Sequence, residues 1–246
     1  MKKQLVSVIM PAFNASAFIS DSIDSILKQS YKNLELIICD DCSSDETLDL
    51  ASQFSKYDNR INLISNSTNL GIAQSRNRCI SIAKGEIIAF CDSDDVWQND
   101  KLELQVKKLL SEDYSVISSN CYIIDASGKK IGKRIYPKII TKKMMRFRNF
   151  IINSSAIFKK EDIDIIFEEI KHEDYLYWLN IVKKNVYCFQ QPLINYRVHE
   201  SNFTNNKIKS LIWHYYVWRK KGESLFIIPF LFFLNLISRY KYRGGQ

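Results

Sequence analysis

The sequence predicts an α/β domain with a mostly parallel central sheet flanked by helices, on three observations. Over the first 125 residues, short apolar runs alternate with amphipathic stretches of helical length, the pattern of successive strand–helix units. Acidic pairs directly follow two of the apolar runs, at the carboxyl ends of strands, where sheets of this class bind their ligands. The chain has 246 residues, 46% of them hydrophobic, enough to bury a substantial core.

The elements follow in order. Leu5–Met10 (LVSVIM) is a buried strand, and Pro11 and Asn14 mark the turn after it. Ser16 is placed to cap a helix running to about Gln29. Leu34–Cys39 is the second strand, and Ser44 opens a helix over Asp45–Ser55 with acids in its first turn, as the helix dipole prefers. Ile61–Ser65 is a short strand, Leu70–Lys84 a helix stopped by Gly85, Glu86–Cys91 a strand, and Asp100–Leu110 a helix. Regularity lapses near residue 126. Ser154–Phe158 reads as a strand, Asp174–Lys184 as an amphipathic helix, and Val186–Phe189 and Leu193–Arg197 as two short strands. The expected division is 1–125 as a regular half, 126–200 as the second half of the same domain, and 201–246 as a helical tail.

Charge is unevenly placed along the chain. The formal balance is +8 overall, yet residues 1–128 carry 12 Lys and Arg against 18 Asp and Glu, and residues 129–246 carry 23 against 9. Residues 129–148 hold nine Lys and Arg and no acid. A basic half suits phosphates or an anionic membrane surface, or is simply a solvated face. No helix-turn-helix, zinc or RNA-binding signature accompanies it, so no nucleic-acid partner is expected. The tail is basic and aromatic over Lys207–Lys221, with Trp213, Tyr215, Tyr216 and Trp218, and nearly all apolar over Leu225–Ile237. As a helix that run is about 20 Å long, short of the roughly 30 Å hydrocarbon core. Arg219, Lys220 and Lys221 precede it and Arg239, Lys241 and Arg243 follow. It reads as an interfacial element or as a terminal helix packed on the domain. The six cysteines are scattered, Cys39-x-x-Cys42 has no second pair at zinc spacing, and no secretory segment is expected, so the protein reads as reduced and cytoplasmic.

Three carboxylate groups carry the chemistry. Asp92-Ser93-Asp94-Asp95 follows the strand Glu86–Cys91. Alternate residues of an extended segment share a face, so Asp92 and Asp94 converge and repel unless a cation neutralises them. A hard divalent ion does so, held by one or two carboxylates and completed by substrate phosphates; the alternative is a solvated acidic turn. Asp40 and Asp41 end the second strand, suited to a base N–H or ribose hydroxyl, or to capping the helix that follows. Glu173-Asp174 opens the helix with Tyr175, Tyr177 and Trp178, as a cap or as a positioned general base. His199 closes the last short strand and is structural or a metal ligand.

Together these segments resemble the family-2 glycosyltransferases of the GT-A fold, strongly over residues 5–125 and more loosely over 150–200. VSVIMPAFNA (Val6–Ala15), ELIICDDCSSDET (Glu35–Thr47), NLGIAQSRNRCISIAKGEIIAFCDSDD (Asn69–Asp95) and HEDYLYW (His172–Trp178) carry the likeness through their order and spacing. The resemblance implies a Rossmann-like sheet and an inverting enzyme that uses a UDP-sugar, hexose or N-acetylhexosamine, with Mn²⁺ or Mg²⁺. By position it implies that Pro11, Ala12, Phe13 and Asn14 shape the nucleotide pocket and that Asp41 reads the uracil edge. Arg76 would approach the nucleotide or the aspartate pair, Asp92 would lie nearer the ribose and metal with Asp94 the direct metal ligand, and Ser93 would contact the nucleotide-sugar. Asp92 and Asp94 would hold the metal with His199, Ser154 and Ser155 would lie near the donor sugar, and Asp174 would be the catalytic base. Residues 1–125 would then bind the donor and 126–200 supply the acceptor site and base. A lipid-linked saccharide acceptor, a β-glycosidic product of O-antigen or capsule type, and peripheral contact with the cytoplasmic face of the inner membrane complete the expectation.

Overall fold

The computed structural model describes residues 4–163, 165–199 and 207–242; Arg243 and residues 201–206 of the expected tail lie outside them. Strands β1 (Val6–Ala12), β2 (Leu34–Asp40), β3 (Ile61–Ser65) and β4 (Ile87–Phe90) alternate with helices α1 (Ile19–Leu27), α2 (Thr47–Tyr57) and α3 (Ile72–Ile82). The chain continues through β5 (Val96–Trp97), α4 (Lys101–Ser111), β6 (Val116–Ile124), β7 (Lys130–Arg134), β8 (Ile139–Ile140), α5 (Lys142–Met145) and β9 (Ile157–Lys159). Helix α6 (Glu173–Ile181), β10 (Val186–Arg197), α7 (Lys207–Lys220) and α8 (Ile228–Lys241) complete it.

All the strands join one sheet in the order β3-β2-β1-β4-β9-β6-β10-β5, with β7 paired to β6 and β8 to β10. β3, β2, β1 and β4 run parallel, and β1 and β2 are buried along their whole length, as in a parallel sheet covered on both faces. β9 enters antiparallel between β4 and β6, and β10 runs parallel to β6. The sheet is therefore parallel at one end and mixed at the other.

Several expectations shift. Neither Ser16 nor Ser44 caps a helix: α1 starts at Ile19 and α2 at Thr47, without side-chain caps. Because β1 and β2 are parallel neighbours, the turns after them lie side by side, and their polar groups bond across instead. The Ala15 N–H donates to Thr47 Oγ1 (2.7 Å), the Ser16 N–H to Asp45 Oδ2 (3.0 Å) and the Ser44 N–H to Asn14 Oδ1 (2.9 Å). Gly85 does not cap α3, which ends at Ile82. A Cβ on Gly85 would lie 2.6 Å from both Leu5 O and Ser7 N, so glycine is required there for close backbone approach. β6 went unread because its centre, Ser118-Ser119-Asn120, is polar; these residues are nonetheless buried, and Asn120 donates to Gln190 O (2.9 Å) and accepts from the Tyr136 N–H (2.8 Å). The two expected strands Val186–Phe189 and Leu193–Arg197 are one strand, β10, with register shifts around Pro192. Ser154–Phe158 divides into a single 3-10 turn, Asn153–Ser155, and β9.

The tail packs through one face of α8. Ile228 and Leu231 bury against Trp218, whose Nε1–H donates to Arg146 O at 2.6 Å, and Asn235 Nδ2 donates to Phe147 O at 2.6 Å. Phe230, Phe233, Ile237 and Tyr240, at alternating three- and four-residue spacing, occupy the opposite, exposed face. Among the described residues no helix is long and apolar enough to cross a membrane.

Lys101 is fully buried, its Nζ 3.8 Å from the centre of the Trp97 ring and, among the described residues, without a hydrogen-bond partner. Burial pulls its pKa down to about 7. Between that value and 10.5 the unfolded chain holds the extra proton, so this group makes stability rise with pH across that window. Lys101→Met keeps the aliphatic stem and removes the orphan amine. Chemical denaturation is expected to show a gain on the order of 1–3 kcal/mol at pH 7 that shrinks by pH 10. A variant less stable than the parent at pH 7 would refute this.

Candidate active site

The site collects at the carboxyl edge of the parallel strands. Pro11 and Ala12 end β1, Phe13 is half-exposed, and Asn14 turns the chain at φ 48°, a left-handed conformation that asparagine tolerates. Asp40 accepts from the Ser43 N–H at 3.1 Å and so braces its own turn. Asp41 is buried and does not cap α2. Its Oδ1 accepts from Asn66 Nδ2 (2.6 Å) and the Leu70 N–H (2.8 Å), and its Oδ2 from the Gly71 N–H (2.8 Å). Asp41 thus organises the loop leading into α3, where Gly71 sits at φ 86°. Oδ2, with a single donor, keeps acceptor capacity for a ligand.

The acidic turn after β4 is held from behind. The Asp92 N–H donates to Ser154 Oγ (3.0 Å), and Ser93 O accepts from Ser22 Oγ (2.9 Å). Buried Asp95 accepts from the Arg197 N–H (2.9 Å), while Arg197 Nε donates to Asp94 O (2.8 Å). Ser154 and Ser155, expected beside a donor sugar, are fully buried; Ser155 Oγ closes back on Ile152 O (2.7 Å). With its backbone fixed, the turn presents Asp92, Ser93 and Asp94 to a cavity. His199 Nε2 lies 2.9 Å from Asp94 Oδ2. Burial, and then the charge of Asp92, hold the Asp94 carboxyl above the usual range, against the pull of His199. A cation would relieve the Asp92–Asp94 repulsion. Among the described residues no cluster of three or more ligating side chains forms. A nitrogen and an oxygen donor this close fit a hard divalent ion only if phosphate oxygens complete its coordination.

Across the cavity, His172 at φ 60° bends the chain into α6 so that Glu173 and Asp174 open the helix. Asp174 Oδ1 accepts from the Tyr175 N–H (2.7 Å), and Asp174 Oδ2 accepts from Asn149 Nδ2 (3.0 Å). Burial, and then the Glu173 charge, push the Asp174 carboxyl up to about 7, against Arg76. Arg76, only 2% exposed, spans the two acidic groups: one terminal nitrogen donates to Asp92 Oδ1 and the other to Glu173 Oε1, both at 2.8 Å. Behind this bridge, rings from three elements interlock. Phe167 stacks on Tyr177 with centroids 3.9 Å apart, Phe90 meets both edge-on, and Trp178 Nε1–H donates to Asn153 Oδ1 (2.9 Å). The aromatic stripe of α6 is therefore core, and it fastens the Asp174 helix to β4.

One cavity of about 1660 Å³ is lined by Pro11 to Asn14, Asp41, Arg76, Asp92 to Asp94, Asp174 and His199 together. Unforeseen from the sequence are Asn149, which holds Asp174, Arg197, which holds the acidic turn, and the arginines Arg134, Arg148 and Arg239 on the far wall. Arg134 and Arg148 lie in the basic run, which marked a positive surface without distinguishing its members.

A parallel sheet with facing acidic groups in one cleft suits group transfer from an activated, phosphate-bearing donor. Residues 7–167 match the sequence profile of Glycosyl transferase family 2, and the chain belongs to that family and is a glycosyltransferase. It is 38% identical over 216 residues to the UDP-Glc:alpha-D-GlcNAc-diphosphoundecaprenol beta-1,3-glucosyltransferase WfgD of Escherichia coli, covering 86% of this chain and 84% of that one. It is 31% identical over 217 residues to the amylovoran biosynthesis glycosyltransferase AmsB of Erwinia amylovora, covering 80% and 71%. The fold matches residues 1–349 of S. aureus TarS in complex with UDP-GlcNAc, with a TM-score of 0.72, 21% identity, and coverage of 87% of this chain and 64% of that one. It also matches the mannosyltransferase PcManGT from Pyrobaculum calidifontis in complex with GDP-Man and Mn²⁺, with a TM-score of 0.69, 19% identity, and coverage of 94% and 69%. The fold is the GT-A glycosyltransferase fold.

Proposed function

We propose that this enzyme transfers a hexose or N-acetylhexosamine from a UDP-sugar, with inversion, onto a saccharide carried by polyprenyl diphosphate. The product is a β-glycoside in a bacterial surface polysaccharide of O-antigen or capsule type. The observation that carries this reading is the Arg76 bridge. One guanidinium ties Asp92, on the leaving-group side, to Glu173, next to the base, so donor and acceptor chemistry share one cleft. WfgD and a second E. coli relative at 36% identity, WfaP, are both named for transfer from UDP-Glc to a GlcNAc-diphosphoundecaprenol, which supports the donor and acceptor classes.

In this reading residues 1–125 bind the donor. Pro11 to Asn14 wall the base, Asp41 Oδ2 takes the uracil edge, and Asp92 and Ser93 face the ribose. Asp92, Asp94 and His199 would hold Mn²⁺ or Mg²⁺, which when bound supplies positive charge for the departing diphosphate. Residues 126–200 complete the acceptor side. Asp174 takes the proton from the acceptor hydroxyl, which attacks opposite the diphosphate, and inversion needs no second carboxylate as nucleophile. The tail, 201–246, sets the exposed face of α8, with Phe230, Phe233 and Ile237, against the cytoplasmic leaflet of the inner membrane. The protein is expected to sediment with anionic vesicles, and Phe230→Asp with Phe233→Asp to release it; sedimentation unchanged by the pair would refute the contact.

The test of function is UDP release from a panel of UDP-sugars with Mn²⁺, with and without a polyprenyl-diphosphate saccharide. Acceptor-stimulated release from a UDP-sugar is expected. Faster release from GDP- or ADP-sugars would overturn the donor assignment. The metal has a separate readout. UDP at 100 times its dissociation constant is expected to add about 2.7 kcal/mol of stability in Mn²⁺, and Asp94→Ala to abolish that gain. An equal gain in EDTA would remove the metal from the argument.

A further inference from the structure

We propose that Arg134, Arg148 and Arg239 form a second diphosphate subsite in the same cavity, which grips the diphosphate of the lipid-linked acceptor rather than that of the donor. The proposal rests on the acceptor class proposed above. The three guanidiniums come from separate elements: the end of β7, the segment after α5, and α8. All three line the cavity that holds Asp174.

Among the described residues, Arg134 and Arg148 lack the carboxylate partners that four other arginines have. Arg76 pairs with Asp92 and Glu173, Arg60 with Asp58, Arg146 with Glu223, and Arg197 with Asp21. Arg134 and Arg148 make no ion pair with a carboxylate among the described residues. Instead, Arg134 lies 4.5 Å from the centre of the Tyr196 ring, and Arg148 5.6 Å from Tyr136 and 5.1 Å from Phe150. Two bonds to neutral acceptors fix the fork directions: Arg148 donates to Ser238 O (2.8 Å), and Arg239 Nε to Asn235 Oδ1 (2.7 Å). Burial, opposed by Tyr136 and reinforced by the charge of Arg134, draws the Arg148 pKa down, and burial and then Arg148 do the same to Arg239; against burial, Arg134 is held up by Tyr136 and Tyr196. Arg148 feels the like charge of Arg134, and Arg239 that of Arg148, a repulsion that a bound anion would relieve. A diphosphate, with oxygens spaced for bidentate guanidinium contacts, is the complementary anion.

The order of groups along the cavity matches such an acceptor. Asn149, next in the chain to Arg148, holds Asp174. Arg239 stands on α8, whose other side exposes Phe230, Phe233 and Ile237. Base, cations and apolar helix therefore succeed one another, as do the sugar hydroxyl, the diphosphate and the polyprenyl chain.

Farnesyl diphosphate serves as the probe, titrated into protein saturated with UDP and Mg²⁺, with farnesol as the uncharged control. Wild type is expected to bind the diphosphate with UDP in place, and Arg134→Gln and Arg239→Gln each to weaken it about 10- to 100-fold, the loss of a charge-assisted hydrogen bond. Arg134→Lys is expected to recover part of the affinity, and UDP affinity to stay unchanged in all variants, which also reports an intact fold. In turnover the Gln variants are expected to raise KM for a diphosphate-linked acceptor and to leave that for the same saccharide on a neutral alkyl chain unchanged. Competition between farnesyl diphosphate and UDP for one site would overturn the proposal, as would variants that bind the probe like wild type. The probe titration needs no turnover. Probe binding in a protein that releases no UDP from UDP-sugars would therefore count against the donor assignment and leave the subsite standing.

Discussion

Asp174→Asn is expected to slow sugar transfer about 10²–10⁴-fold, the usual contribution of a positioned general base, while UDP binding with metal survives. The amide keeps an acceptor for the Tyr175 N–H; it removes the affinity for a proton and, with it, the oxygen that accepts from Asn149 Nδ2. His172, not Asp174, is the N-cap of α6, and the one first-turn bond that Asp174 makes, to the Tyr175 N–H, is kept by the amide, so a large loss would report on chemistry. The carboxyl, raised to about 7 by burial and Glu173, is poised where a base works at neutral pH. As the base must be ionised, kcat/KM of the wild type is expected to climb with pH, bend near 7 and level off. Stability supplies an independent check with the opposite slope. Between 3.8 and about 7 the folded protein holds a proton at Asp174 that the unfolded chain releases, so this group makes stability fall as pH rises, and the Asn variant lacks that fall. Near-normal turnover in the variant would displace the role to Glu173.

Arg76→Met is expected to cost on the order of 3–5 kcal/mol of stability, the penalty for stripping a buried ion pair of one partner. Here one side chain serves two carboxylates, and Asp174 also feels its charge. Glu173→Gln in the same chain is expected to return part of the loss, because one orphaned charge is then neutral, and a double-mutant cycle in urea measures the coupling. Arg76→Lys restores charge without the fork and is expected to fall between. Transfer is expected to fall with Arg76→Met even at temperatures where it stays folded. A stability change below about 1 kcal/mol would mean that the two acidic groups do not depend on the bridge.

The parallel half was legible because its strands are short apolar runs and its helices amphipathic, and the same periodicity placed the acidic residues at strand ends. What escaped was whatever depends on partners far along the chain. β6 hides behind Ser118-Ser119-Asn120, of which Asn120 is paired with Tyr136 and Gln190, 16 and 70 positions away. The serines expected to cap α1 and α2 are good caps by type, yet the neighbouring turn offers them other partners. Gly85 looked like a helix stop and is a point of backbone contact with β1. In the site, Asp92, Asp94 and Asp174 were visible as local patterns, whereas Asn149 and Arg197 act on residues 25 and 103 positions away, and nothing local marks either.

The interlocked rings Phe90, Phe167 and Tyr177 limit how this enzyme can diversify. They make the separation of Asp174 from the acidic turn a fixed gauge, and a misplacement of about 1 Å at such a gauge costs on the order of 10²-fold in rate. Descendants that acquire a new acceptor are therefore free to redraw the far wall at Arg134, Arg148 and Arg239, which line the cavity from β7, the segment after α5 and α8 without belonging to the ring cluster. Drift in linkage and acceptor is expected to accumulate on that wall, while the ring cluster behind the chemistry stays constant in volume.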